Sequence, residues 1–348
     1  IVCFGMGVWI GGLITYQAFR MMKERGHKLS VITPGINREE IFRALENLSP
    51  LYSQTILIGY PPFVKDVIDE ANDKDIDLKS LKLKILCAAE PFTERFRHYL
   101  AEKSGADPRH GVVNIYGTAD LGTMAMETPL SIAIRSLATK DSSIFQDLFG
   151  GINKTPTLAQ YIPEFISFDT TTDGAILITG DNSIPLIRYS IGDHGGVYTA
   201  KDMTVKLKAL GAKVKFDQEL PFVYIYERID MATKLYGAII YPEHIRDALQ
   251  DEHIDDCLTG KFVMSTKYNR TLDQYLEIII ELKKHVNSDR VPKNKVKQIV
   301  VKELLSRNAE FRNNYNSLGS KVIPKLIFKE HGHPLYFKQG IKQKWVKK

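Results

Sequence analysis

No charged residue interrupts the chain from Ile1 to Phe19, and Leu13, Ile14, Tyr16, Phe19 and Met22 fall at the spacing of one helical face. That spacing runs on through Arg20, Lys23, Glu24 and Arg25 and stops at Gly26, which predicts an amphipathic helix in preference to a membrane span. A basic leader and a small-residue cleavage site are both missing, which argues against a signal peptide. The opening FGMGVWIGG (4–12) is rich in glycine and aromatic residues. Its GxGxxxG spacing departs from the dinucleotide fingerprint GxGxxG, and no strand and acidic partner frame it.

Beyond Gly26 the pattern alternates. HKLSVIT (27–33) predicts a strand closed by Pro34-Gly35, REEIFRALENL (38–48) a helix, TILIG (55–59) a strand and FVKDVIDEA (63–71) a helix. LKILCA (83–88), TERFRHYLAEK (93–103) and VVNIYG (112–117) repeat the rhythm as strand, helix, strand, which predicts a parallel sheet with crossover helices. Ligands of such sheets gather at the carboxyl ends of the strands, where AAEP (88–91) and YGTAD (116–120) would lie. From Gly174 short β-like runs follow, GAILITG, PLIRYS, GGVYTA and PFVYIYE, and predict a β-rich subdomain over about 174–229. After Asp230 the helices PEHIRDALQ and VKQIVVKELLSR alternate with GKFVMS, YLEIIIEL and VIPKLIF, as in a compact α+β lobe.

Composition narrows the function classes. With 44% hydrophobic and 25% charged residues the chain is expected to pack a core, and 348 residues suffice for two domains. The formal charge of +6 is spread out except in the final KQGIKQKWVKK, and the aromatics sit inside strand and helix patterns, so neither a nucleic-acid nor a membrane partner is expected. Cys3, Cys87 and Cys257 are odd in number and have no CxxC spacing, which favours a reducing, cytoplasmic setting over disulfides or a zinc knuckle. His331 and His333 stand two apart with no third ligand type nearby and are read as surface residues.

Three stretches carry candidate chemistry. In LCAAEPFTERF (86–96), small Ala88 and Ala89 let backbone approach a flat ligand, and Glu90 stands at a strand end; the plain alternative is a simple turn. In NIYGTADLG (114–122), Tyr116 could stack on a base, Thr118 could bond a phosphate and Asp120 could hold Mg²⁺, which takes one or two carboxylates with substrate phosphates; the alternative is a turn before a helix. In PLIRYSIGDHG (185–195), the Asp193 carboxylate can accept both hydroxyls of a ribose, and Arg188 offers a planar fork to a phosphate. The alternative there is a hairpin with a surface ion pair.

In this order, and followed by YERIDMATKLYGAIIYPEHI (226–245), these stretches resemble the adenylate-forming superfamily, specifically the phenylacetate-CoA ligase family. RYSIGD and ERIDMATKLYG are the most specific parts of the likeness. It implies a large N-terminal α/β domain with a mixed or parallel sheet (1–229) and a small mobile C-terminal lobe (230–348). It also implies ATP, Mg²⁺ and coenzyme A acting on a small carboxylic acid, and a homodimer as the common assembly.

Carried over by residue, the resemblance puts Ala89, Glu90 and Pro91 beside the adenine, and Tyr116, Gly117 and Thr118 against the adenylate. It puts Asp193 on the ribose and Asp120 at the metal. Arg228 and Asp230 would mark the hinge, with Lys234 and Gly237 behind it. Phe4 and Trp9 would line the acyl pocket. Lys342 in QGIKQKW would contact carboxylate and phosphate, with Lys338 and Lys344 as neighbouring candidates, and Arg188 would join it in catalysis. The sequence departs from the family at Asp120, where a Glu is usual, and at Glu227, where the hinge motif has Gly. The family's Ser/Thr/Gly-rich phosphate loop would precede Ile1, so the chain is expected to be a fragment.

Overall fold

A computed structural model describes residues 1–6, 10–150, 155–181, 184–212, 214, 219–226, 232–236, 238–269, 274–338 and 345–346. The chain divides into two compact units, Ile1–Glu227 and Arg228–Lys348.

In the first unit, α1 (Ile10–Glu24) forms as the apolar spacing predicts. Much of its apolar face is exposed, Leu13 at 47% and Met22 at 40%, while Phe19 packs on a small cluster of Val2, Phe4 and Ile58. The strand expected over 27–33 does not form. Its backbone is tied by single bonds, such as Val2 N donating to Ile32 O at 3.0 Å, without a ladder. Next come α2 (Arg38–Arg43), capped by Asn37, and then β1 (Ile56–Gly59), α3 (Pro61–Asp73), β2 (Lys84–Ala88), α4 (Glu94–Ser104) and β3 (Val112–Thr118). Pro61 and Pro62 open α3, where a missing N–H is no loss. Thr93 caps α4 by accepting from Phe96 N.

The remaining elements of this unit are β4 (Gly122–Met126), α5 (Pro129–Ala138), α6 (Ser142–Phe149), β5 (Thr157–Gln160), β6 (Ile166–Thr170), β7 (Ala175–Gly180), β8 (Leu186–Tyr198), α7 (Ala200–Ala209) and β9 (Phe222–Tyr226). Among the described residues its strands make one nine-stranded sheet in the order β1-β2-β3-β4-β5-β9-β8-β7-β6. The first three are parallel, in a register that sets Gly59 opposite Cys87 and Ala88 opposite Ile115, so their carboxyl ends meet along one edge. The other pairings are antiparallel. The strands after Gly174 therefore continue the same sheet. Val64, Val67, Ile68, Leu100 and Val112 pack with the first strands in a core from which water is excluded, each large apolar side chain contributing about 1.5–3 kcal/mol.

The second unit holds the hairpin β10 (Thr233–Leu235) and β11 (Ala238–Ile240), followed by α8 (Pro242–Ala248). Then come β12 (Leu258–Tyr268), β13 (Gln274–Leu282), α9 (Lys293–Arg307), α10 (Ala309–Leu318) and β14 (Lys325–Lys329). β12 and β13 are antiparallel and β14 adds parallel to β13. Phe262, Ile278, Val300, Phe311 and Trp345 share one core. Trp345 is fixed there by Met264 N donating to its carbonyl at 2.7 Å and by the Arg246 guanidinium 4.6 Å from its ring centroid.

Candidate functional site

The parallel register of β1, β2 and β3 brings three separate stretches to one sheet edge: Tyr60 after β1, the Ala89-Glu90-Pro91 turn after β2, and Tyr116 near the end of β3. Ala89 takes φ 71°, a left-handed conformation that a residue with a Cβ rarely adopts, and so turns the chain sharply into α4. Glu90 is buried and close enough to Tyr60 that its charge, added to burial, raises the phenol above its ordinary value.

Tyr116 joins two of the stretches. Its hydroxyl donates to Asp193 Oδ2 at 2.7 Å, across 77 residues of sequence. Burial, the Asp193 charge and this hydrogen bond together raise the Tyr116 phenol far above its usual range, so it remains a donor at any working pH. Asp193 is itself 9% exposed and belongs to β8, where Gly192 at φ 85° bends the strand beside it. The pair thus offers an aromatic face, half-buried, next to a carboxylate that only accepts hydrogen bonds.

β3 then turns directly into β4. Gly117 lies against β4 so closely that a Cβ there would stand 2.4 Å from Gly122 O, and Thr118 Oγ1 accepts from Leu121 N at 3.1 Å. Asp120 is exposed at the tip of this hairpin, where a helix start had been the plain alternative. Among the described residues no group of three or more His, Cys, Asp or Glu could hold a metal ion. Asp120 offers one carboxylate, enough for Mg²⁺ whose other ligands are substrate phosphates and water.

Of the other described residues singled out in the sequence, Phe4 borders this edge, while Arg188 and Lys338 are exposed. Arg188, at φ 51°, pairs with Asp169 at 2.9 Å, both side chains more than half exposed. Phe4 is 3% exposed and packs edge-on against Tyr60, ring centroids 4.9 Å apart, in the cluster that also holds Ala88. Lys234 belongs to β10, and Lys338 is exposed. Trp9, Arg228, Asp230, Gly237, Lys342 and Lys344 lie outside the described residues. Cys3 and Cys87 are buried; burial pushes the Cys3 thiol up to about 12 and raises Cys87 as well, so neither supplies a thiolate nucleophile.

A buried ionic network beside the turn had no place in the sequence reading. Arg97, fully buried, donates to Glu94 Oε2 at 3.0 Å, to Glu127 Oε1 at 2.7 Å and to Val112 O. Arg135 pairs with Glu94 and donates to Phe92 O and Pro156 O, each at 2.7 Å. Glu127 Oε2 accepts from Asn114 N at 2.8 Å, and Asn114 Nδ2 donates to Glu90 O at 3.1 Å. Burial disfavours the Glu94 carboxylate, but the Arg135 and Arg97 guanidiniums outweigh it and hold that carboxyl below its ordinary value. One signal was present in the sequence: Arg97, Leu100, Ala101 and Ser104 fall at i, i+3, i+4 and i+7, which puts Arg97 on the buried face of α4.

No protein-family model and no curated protein matches the chain. Solved structures do. 2-Hydroxyisobutyryl-CoA ligase in the postadenylation state, in complex with R3-HIB-AMP, superposes with a TM-score of 0.66 at 14% identity. The same enzyme with 2-HIB-AMP gives 0.65 at 14% identity. Each match covers 99% of this chain and 64% of that one, so the chain spans about two thirds of the ligase's length. Anthranilate CoA ligase AuaEII in complex with anthranoyl-AMP follows at 0.49, with 12% identity over 84% of this chain and 48% of that one. From its parallel first strands to its small α+β unit, the chain has the α/β fold of an adenylate-forming ligase.

Proposed function

We propose that the protein activates a carboxylic acid with ATP and passes the acyl group to coenzyme A, in the manner of phenylacetate-CoA ligases. The observation that carries this reading is the Tyr116–Asp193 hydrogen bond, which unites an aromatic residue and a ribose-type carboxylate at the carboxyl edge of the sheet. The fold it shares with a ligase crystallised with acyl-adenylates supports the same reading.

In the first half-reaction a carboxylate oxygen of the acid attacks the α-phosphorus of ATP. An O–P bond forms, the α–β phosphoanhydride bond breaks, and pyrophosphate leaves with the electron pair. Tyr116 and the Ala89-Glu90-Pro91 turn flank the adenine, Asp193 accepts from the ribose hydroxyls, and Arg188 and Lys342 offset charge on the α-phosphate and carboxylate. Asp120 is the residue that would hold Mg²⁺, which draws negative charge from the phosphate oxygens. In the second half-reaction the thiol of coenzyme A loses its proton to solvent and adds to the acyl carbon; a C–S bond forms, the acyl C–O bond to the phosphate breaks, and AMP leaves with the electron pair. The lobe turning about Asp230 exchanges Lys342 for the face that carries Lys234. Phe4 and Trp9 form the wall of an apolar acyl pocket. An amine or a carrier-protein thiol as acceptor is the second reading, since it uses the same adenylate.

Pyrophosphate release by the natural full-length protein with Mg-ATP, across a panel of aryl and acyl acids, tests the proposal. Release is expected with one class of acid, and both Asp193→Ala and Lys342→Ala are expected to lower it at least about a hundredfold. Binding of ATP without release for any acid would overturn the ligase reading in favour of a nucleotide-binding protein.

A further inference from the structure

Arg97 is fully buried, yet the protein does not use all of its hydrogens. Nε donates to Glu94 Oε2 at 3.0 Å, Nη2 donates to Glu94 Oε1 at 3.2 Å and to Glu127 Oε1 at 2.7 Å, and Nη1 donates to Val112 O. Nη1 carries two hydrogens, so its second has no partner among the described residues. A buried donor left in that state costs free energy that a ligand oxygen would recover. Arg97 also lines a cavity of about 450 Å³ that α4 and α5 bound together, a size ordinary for small-molecule sites.

This cavity combines an apolar wall with a surplus of positive charge. Ile132, Ala133 and Leu137 on α5 supply the wall. Arg109 and Lys140 also line it, and both are exposed. Arg109 Nε donates to Pro129 O at 2.9 Å, and among the described residues neither cation has a carboxylate within ion-pairing distance. Glu94 is the acid of the lining, and Arg97 and Arg135 already meet its charge. Tyr60, Ala89, Glu90, Pro91, Tyr116 and Asp193 contribute nothing to this lining, so the cavity is separate from the sheet edge described above.

We propose that the cavity between α4 and α5 is a second ligand site, for a small organic anion in which one carboxylate or phosphate group stands on a short apolar body. The oxyanion accepts from the free Nη1 hydrogen of Arg97 and is neutralised by Arg109 and Lys140, while the body packs on Ile132, Ala133 and Leu137. Guanidinium groups suit either head group. This site stands whether or not the sheet edge binds a nucleotide.

The test is hydrogen exchange of the natural full-length protein, read peptide by peptide, with benzoate and separately with phenyl phosphate. The two probes share a ring and differ in head group, so the tighter one identifies the anion. Protection is expected over 94–98 and 132–140, and the Kd is read from its dependence on probe concentration. The double variant Arg109→Ala with Lys140→Ala is expected to raise that Kd about tenfold or more and, both side chains being exposed, to leave the melting temperature unchanged. Ala133→Trp, which fills the cavity, is expected to abolish the protection; if that variant does not fold, the double variant decides alone. Absence of protection over both segments with either probe would overturn the proposal, as would an equal Kd in wild type and the double variant. Protection confined to 88–91 and 116–118 would place the probes at the sheet edge and overturn the second site while supporting the first.

Discussion

Gly117 illustrates how tightly single positions are fixed at the sheet edge. An added Cβ would meet the Gly122 carbonyl at 2.4 Å, so the β3–β4 hairpin could keep its register only by moving backbone. Gly117→Ala is expected to cost about 2–3 kcal/mol in urea unfolding and to displace Thr118 and Asp120 together. Glu94 gives a pH signature. Its carboxyl is held low in the folded protein, so its contribution to stability is fully present above the unfolded value of about 4.3 and is lost as pH falls through the folded one. Glu94→Gln should therefore cost about 3–5 kcal/mol near neutrality by leaving Arg97 and Arg135 under-compensated. The gap from wild type should close in urea titrations below about pH 4. Tyr116 and Asp193 could be picked out of the sequence as candidates by residue type, and the fold joins them in one hydrogen bond. Glu127 and Arg135 could not, because their meaning lies in partners 30 to 41 residues away that only the folded chain brings within hydrogen-bond reach.

At the scale of elements, the alternating pattern located β1, β2, β3, α3 and α4 to within a few residues, since the strands are short apolar runs and the helices begin at a proline (α3) or a side-chain cap (α4). It failed where backbone irregularity breaks the period. PLIRYS and GGVYTA read as two runs, yet β8 is one strand of 13 residues, kept continuous through positive φ at Arg188 and Gly192. HKLSVIT has the apolar alternation of a strand but no ladder partner. The Arg188 bulge points its side chain to Asp169 on β6, in an ion pair exposed enough to be worth less than about 1 kcal/mol. On the proposed reading, Arg188→Ala should leave the unfolding midpoint within that margin while lowering acid-dependent pyrophosphate release by about tenfold or more. An unchanged rate would mark Arg188 as a surface residue only.

For the whole molecule, Tyr116, the Ala89 turn and Asp193 all belong to the first unit, whereas Phe262, Phe311 and Trp345 form the core of the second. Phe262→Ala should cost about 3–5 kcal/mol, read by calorimetry, while AMP affinity stays at the wild-type value. Among the described residues no helix is long and apolar enough to cross a membrane, and α1 packs on the first unit through Phe19. The strand order holds a consequence for synthesis. β9, made last in the first unit, lies between β5 and β8, and β5 meets β4 through the single pair Met126–Gln160. Until Tyr226 has left the ribosome, the nascent sheet is two halves with bare hydrogen-bonding edges facing one another across a gap. A growing chain in that state is open to pairing with its neighbours on the polysome, and a holdase that shields strands β5 to β8 would raise the yield of folded protein.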